Sequence, residues 1–447
     1  MRCFDLKRVV AIGEHRGDLE RTAVFVENVH DGAKRERAAS RRPNECDNYS
    51  AAVLPFTPTK APNRPPMAKI ESIAVATVRV PLDKVTSFAT RTVSARDYGL
   101  VKVTAEGLEG VGFCYAGSSG GTLVAQAVEQ LLAPGLLGRE SLLVEGLWQR
   151  MFEETLLHGR AGSVMRAISI LDCALWDLNS RASKLPLYKY LGAVVDEAVP
   201  AYASGGYYLP GKTPKKLGEE MAGYAKAGFR AVKMKVGRLS PKEEEARVKA
   251  ARDAIGPDVE LMLDANNAWH DLPTAMRYVE RFELYDPYWI EEPFFPDDID
   301  NHARLTELTR VMVATGEIGT GRWHFKEILD KGAAQILQTD ALVCGGVTEW
   351  RKIAATASSY GVTVCPHWFH DLHAQLVAAT PNPRYVEFFP DDQVLNFRRL
   401  IDAQLAVKDG MLILPRTPGL GFGFDERAVA RYALKDGKSV WKVLSVN

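Results

Sequence analysis

Eight short apolar segments recur between residues 199 and 390, and most of them run into a polar or ionisable residue at the C-terminal end. In chain order they are VPAYAS (199–204), AVKMKVG (231–237), ELMLDAN (260–266), WIEEPF (289–294), MVATGEI (312–318), ILQTDAL (336–342), VTVCPHW (362–368) and YVEFFP (385–390). The stretches between them have helical character. Short apolar strands alternating with helices predict a parallel sheet covered by helices, an α/β fold. Eight is the number of strands that closes a (β/α) barrel.

The residues capable of chemistry sit on this repeat. Lys233 and Lys235 lie on the second segment, followed by Asp264, Glu291, Glu317, Asp340, His367 and Glu387; from Lys235 onward the intervals are 29, 27, 26, 23, 27 and 20 residues, about one strand–helix unit each. In a barrel the C-terminal ends of all strands share one rim, so residues more than a hundred positions apart meet in one pocket. Asp264, Glu291 and Glu317 are hard oxygen ligands on successive strands, a set suited to Mg²⁺. Each alone reads as a surface charge or a helix cap; three at one-unit spacing point to a cation. Glu292 faces the other side of a regular strand and is expected to be structural.

Lys233 and Lys235 are two apart and therefore share a face. Two ammonium groups beside a divalent cation lower each other's pKa, which predicts a neutral lysine base near pH 7. Asp340 and His367 end neighbouring strands, where a carboxylate can fix the tautomer of an imidazole and raise its basicity. His370 and His373 of PHWFHDLHAQL carry no comparable positional argument, and helix packing or capping suits them as well as substrate contact.

The remaining chain divides around this repeat. Residues 1–66 are Arg-rich and Pro-punctuated without sustained periodicity, and are expected to be a disordered or non-native extension, with Met67 as the natural start. Glu14, Asp18, Glu20, Glu27 and Asp31 argue against a transit peptide. Residues 67–190 alternate strands (IAVATVRVPL, YGLVKVTAEGLEGVGFCYAG) with a helix (VMRAISILDCALWDLNSRAS), predicting an α+β domain. Residues 191–390 form the barrel, and 391–447 return to the first domain. With 56 Lys+Arg against 56 Asp+Glu the net charge is zero, so no overall field gathers nucleic acid or anionic lipid. No apolar run approaches the roughly 18 residues of a membrane span. Six cysteines without a CxxC pair form neither a disulfide framework nor a zinc knuckle, and a reducing cytoplasm is expected.

Taken together, AVKMKVG, LMLDANNAW, WIEEPF, ATGEIGTG, QTDALVCGGVTEW and VTVCPHWFHDLHAQL resemble the enolase superfamily and its mandelate racemase subgroup (mandelate racemase/muconate lactonizing enzyme-like), over about residues 68–430. The resemblance implies a capping α+β domain, completed by the C-terminal segment, over a modified TIM barrel, (β/α)₇β, whose first strand runs antiparallel or irregularly. It implies Mg²⁺ bound by Asp264, Glu291 and Glu317, with Lys235 and His367 as general bases on opposite sides of the substrate. Lys233 would hold the substrate carboxylate, Glu387 would act as hydrogen-bond donor or electrophile opposite it, and Asn266 would contact substrate.

The reaction implied is abstraction of the proton α to a carboxylate, most simply dehydration of a mono- or diacid sugar to a 2-keto-3-deoxy acid by a hydro-lyase. A racemase or epimerase of an α-hydroxy acid is the alternative, and a non-catalytic barrel is the reading that the complete residue set argues against. The segments VTSFATRTVS and GSSGGT are expected to line the substrate cavity with hydroxyl, backbone and Arg91 donors. The expected partner is a small-molecule carboxylate, without nucleic acid or membrane, and the expected assembly is a homo-oligomer.

Overall fold

A computed structural model describes residues 68–391, 395–434 and 439–446; the extension assigned to residues 1–66 lies outside the described residues. The chain opens with three long antiparallel strands, β1 (Ser72–Ser87), β2 (Thr92–Ala105) and β3 (Leu108–Tyr115), against which the helix Gly162–Ala182 packs. This approach is close because β3 carries glycine where it crosses the helix. A Cβ on Gly112 would stand 1.9 Å from the carbonyl oxygen of Ile170, so any side chain there would push the helix off the sheet.

Eight strands follow: β4 (Ala198–Ser204), β5 (Ala231–Lys235), β6 (Glu260–Asp264), β7 (Pro287–Glu291), β8 (Met312–Thr315), β9 (Ile336–Leu337), β10 (Thr363–Val364) and β11 (Val386–Phe388). Each pairs in parallel with the next from β4 to β10, and β11 pairs in parallel with β4. Val364 closes the ring by bridging to Pro383 at the entrance to β11.

Seven helices cover the outside, Pro214–Lys226, Pro241–Ile255, Leu272–Phe282, Ile299–Leu308, Gly321–Asp330, Gly346–Ser359 and His370–Ala378. Three of them start on a capping side chain followed by proline, at Thr213, Ser240 and Asp271. β11 is followed by a 3₁₀ turn at Phe397–Leu400 and by the hairpin of β12 (Val407–Lys408) and β13 (Met411–Ile413). The architecture is therefore a (β/α)₇β barrel. The expectation of an irregular or antiparallel first strand is corrected: β4 is parallel to both barrel neighbours, and the antiparallel partner is β13, laid along its outer part where Leu412 meets Val199. The last strand, β14 (Lys442–Ser445), returns to pair with β1 in the order β14-β1-β2-β3.

The barrel strands read as nearly unbroken apolar runs because both faces are buried. Val232, Met234, Leu261, Leu263, Ile290 and Val313 face outward into the core shared with the helices. Ala231, Met262, Trp289, Ala314, Ile336, Cys365 and Tyr385 form a separate cluster inside the ring. The two-residue strand period then places Lys233, Asp264, Glu291, His367 and Glu387, each two residues beyond a member of that plug, at the rim above it. Polar groups gather at one end because an apolar stopper fills the other.

Candidate active site

The register puts the first rim residues side by side. Lys235 lies opposite Asp264, and Asp264 opposite Glu291. Glu317, Asp340 and His367 do not end their strands as the sequence pattern suggests; β8, β9 and β10 stop two or three residues earlier, and these side chains stand on the turns that follow. There the backbone donors leave the ladder and take side-chain partners: Asp340 Oδ1 accepts from Leu342 N–H at 2.8 Å, capping the short helix Ala341–Cys344.

Asp264, Glu291 and Glu317 each bring a carboxylate oxygen to within 4.8 Å of the others; the first two are fully buried. Lys233 Nζ lies 2.6 and 2.8 Å from the two oxygens of Glu291 and 2.7 Å from Glu387 Oε1, and Lys235 is ion-paired with Asp264. Even so, burial and then the Asp264 charge push the Glu291 carboxyl well above its usual range, against the pull of Lys233. Two lysines do not neutralise this group of carboxylates, and its hard oxygen donors fit a divalent cation.

Burial pulls both lysines down in pKa, but the carboxylates outweigh it: Lys235 is raised chiefly by Asp264, and Lys233 by Glu291 and Glu387. The expected lowering belongs to a site that holds a divalent cation; with the protein groups by themselves each ammonium has a carboxylate against it. Lys233 is fully buried and does not line the cavity, and its ion-pair partners are Glu291 and Glu387. Glu387 is held ionised: burial raises its pKa, but Lys233 and then His367 bring it below the ordinary value. Its Oε2 accepts from Trp368 N–H at 2.8 Å, and the residue lines the cavity.

Across the rim, His367 Nδ1 lies 3.1 Å from Asp340 Oδ2, and its Nε2 faces Glu317 Oε2 at 3.6 Å. Burial lowers its pKa, but Glu317 and the Asp340 hydrogen bond push it up to about 9. His373 is a packing residue: Nδ1 donates to Trp368 O at 2.7 Å and Nε2 accepts from Ala341 N–H at 3.1 Å, tying together the turns that carry Asp340 and His367. Buried His370 packs edge-on against Phe388, 4.8 Å between centroids. Glu292, at φ 44°, turns away from the rim to accept from Thr315 Oγ1 (2.6 Å), Gly316 N–H and Asn267 Nδ2. Asn266, which lines the cavity, donates its N–H to Asp264 Oδ1 at 2.8 Å, while its own buried Oδ1 has no hydrogen-bond partner.

That cavity, about 360 Å³, lies between the rim and the first domain. The barrel contributes Tyr207, Lys235, Asn266, Asn267, Glu317, Asp340, His367, Trp368 and Glu387; the cap contributes Phe88, Arg91, Arg96, Tyr115 and Arg166. From VTSFATRTVS, Phe88 and Arg91 reach it, whereas GSSGGT does not: Gly121 opens a helix whose N–H is taken by Asp97 at 3.1 Å, away from the cavity. Sequence reasoning missed Arg96, Tyr115, Arg166, Tyr207 and Asn267. Arg96 and Arg166 interrupt apolar patterns in β2 and in the helix Gly162–Ala182, the one signal that could have marked them.

Residues 70–192 match the mandelate racemase / muconate lactonizing enzyme N-terminal domain, and residues 216–428 match the enolase C-terminal domain-like family. The chain is 35% identical over 319 residues to an arabinonate dehydratase of Saccharolobus solfataricus, covering 70% of this chain and 84% of the relative. It is 33% identical to a 3,6-anhydro-alpha-L-galactonate cycloisomerase of Streptomyces coelicolor, covering 82% and 99%. The crystal structure of L-talarate/galactarate dehydratase from Salmonella typhimurium, liganded with Mg and L-lyxarohydroxamate, superposes with a TM-score of 0.79 at 28% identity, covering 87% of this chain and 98% of that one.

Proposed function

The chain belongs to the mandelate racemase / muconate lactonizing enzyme family of the enolase superfamily, and from that premise we propose that it abstracts the proton α to the carboxylate of an acid sugar and dehydrates it to a 2-keto-3-deoxy acid. One observation carries the reading: Lys235 and His367, from different sides of the ring, line the same cavity as Glu317, whose carboxylate lies within 4.8 Å of those of Asp264 and Glu291. The relatives named as dehydratases and the Mg-liganded neighbours support it.

A proton next to a carboxylate is very weakly acidic, so charge must be stabilised as it leaves. Asp264, Glu291 and Glu317 would hold Mg²⁺, which supplies positive charge at the developing enediolate. Lys235 becomes a base when Asp264 is engaged elsewhere, because it then loses the carboxylate that most holds its proton, while burial and the Lys233 charge still act against the ammonium. His367, hydrogen-bonded through Nδ1 to Asp340, is placed to donate to a departing hydroxyl. Asp340 Oδ2 fixes the ring so that Nε2 points into the cavity. Asn266, on the cavity wall, is placed to contact substrate.

A cycloisomerase among the relatives is a second outcome for the same intermediate. Incubating the protein with Mg²⁺ and a panel of acid sugars, and trapping keto acid with semicarbazide, tests the reading. Keto acid from at least one acid supports dehydration. Deuterium exchange at carbon 2 without keto acid from any of them replaces it with racemisation or epimerisation. In His367→Asn, proton exchange by Lys235 should persist while keto acid disappears; normal turnover by that variant would remove His367 from its role.

A further inference from the structure

The floor and the roof of the cavity differ in how their cations are used. On the floor Lys235 is engaged by Asp264, and beneath it the buried Lys233 is engaged by Glu291 and Glu387. On the roof Arg91 and Arg166 line the cavity, and among the described residues neither has a carboxylate at ion-pair distance; Arg91 lies over the Phe88 ring at 5.5 Å. Their positions are fixed from two sides. Thr90 Oγ1 donates to Asn266 O at 3.2 Å, holding the Arg91 loop beside β6. Gly345 N–H donates to Ser169 Oγ at 3.0 Å, holding the Arg166 helix beside the turn after β9. Arg96, which lines the same cavity, is buried against the rings of Tyr115 (5.1 Å) and Trp368 (5.0 Å).

We propose that Arg91 and Arg166 receive a second carboxylate at the far end of the substrate, so that this enzyme selects sugar diacids over monoacids. This deepens the proton-abstraction reading and rests on it. A guanidinium matches a carboxylate with two parallel hydrogen bonds, and in a small partly dehydrated cavity it gains far more from an anion than from a hydroxyl chain. The relatives leave the choice open, since they are named for both monoacids and diacids. A ligand bearing carboxylates at both ends would satisfy the cation-binding floor and the arginine roof at once.

Three substrate arms test this with Mg²⁺ present: six-carbon sugar diacids, the matching monoacids, and the monoacids carrying a terminal phosphate ester. The diacids should lead in kcat/KM by about tenfold or more. Arg166→Met should lower kcat/KM for the diacid about thirtyfold, mainly through KM, and for the monoacid by less than about threefold. Arg166→Lys should restore part of the loss, and Arg91→Met, on an exposed loop, should repeat the pattern if Arg166→Met does not fold. Preference for monoacids or phosphate esters, or equal losses for all arms, overturns the proposal. Should no acid exchange its carbon-2 proton, the parent reading fails, and calorimetry with the same six-carbon diacids against the matching monoacids decides the inference separately: tighter diacid binding that Arg166→Met abolishes supports it, and equal affinities overturn it.

Discussion

At the scale of single residues, the site is a balance of charge in a nearly dry place. Glu291 is pushed upward by burial and by Asp264 although Lys233 touches both its oxygens, so one more positive charge is favoured there. Glu317 is the most exposed of the three carboxylates and also faces His367 Nε2 at 3.6 Å. Glu317→Gln should therefore weaken Mg²⁺ binding on the order of a hundredfold, read by calorimetry, and abolish turnover while leaving the fold intact. Lys235, Asp264, Glu291 and His367 were legible in the sequence because strand period and unit spacing are local properties. Their ionisation was not: the lysine pKa values and the charge on Glu387 depend on partners 29 to 154 positions away, such as Asp264 for Lys235 and Glu387 for Lys233.

At the scale of elements, the buried carboxylate of Asp172 is one of the groups by which the helix Gly162–Ala182 joins cap to barrel. Asp172 accepts from Thr348 N–H at 2.9 Å and from Thr348 Oγ1 at 2.6 Å, and burial pushes its pKa from 3.8 up to about 7. A folded-state pKa above the unfolded one means that the folded protein binds the proton more tightly. The resulting stability is complete below the unfolded pKa and fades as pH rises through about 7. At ~1.4 kcal/mol per tenfold change in proton affinity the effect is on the order of 4 kcal/mol. Asp172→Asn should flatten the urea midpoint between pH 4 and pH 7.5 relative to the parent; an unchanged pH slope would mean that Asp172 is already ionised at pH 5. Beside it, Gly346 has φ 91°, and a Cβ there would lie 2.3 Å from Asp172 Oδ2. Gly346→Ala should cost about 3 kcal/mol through strain and overpacking, measurable as a lower denaturation midpoint.

At the scale of the whole molecule, the chain is closed at both ends of its cap. Strand β14 pairs with β1 from Ser72 to Val75, Trp441 packs on Phe424, and Lys102 lies 4.9 Å over the Trp441 ring. Deleting residues 440–447 should remove about 2–4 kcal/mol and speed amide exchange in Ala74 and Val75 much more than in β5 to β7. Equal exchange in cap and barrel would show that the C-terminal strand does not hold the cap. No helix among the described residues is long and apolar enough to cross a membrane.

The sequence alone determined the count of strands, the face on which each functional side chain stands, and the order in which acids and bases arrive at the rim. These follow from a two-residue period and a repeat of one strand and one helix, which are written along the chain. Tertiary structure decided which strand neighbours β4, where β8 to β10 leave the ladder, and which cations are already paired. It also brought Arg96 and Arg166 over a rim formed from residues beyond 200, because their positions depend on how closely a helix and a glycine-bearing strand pack, and short-range pattern carries no measure of that distance.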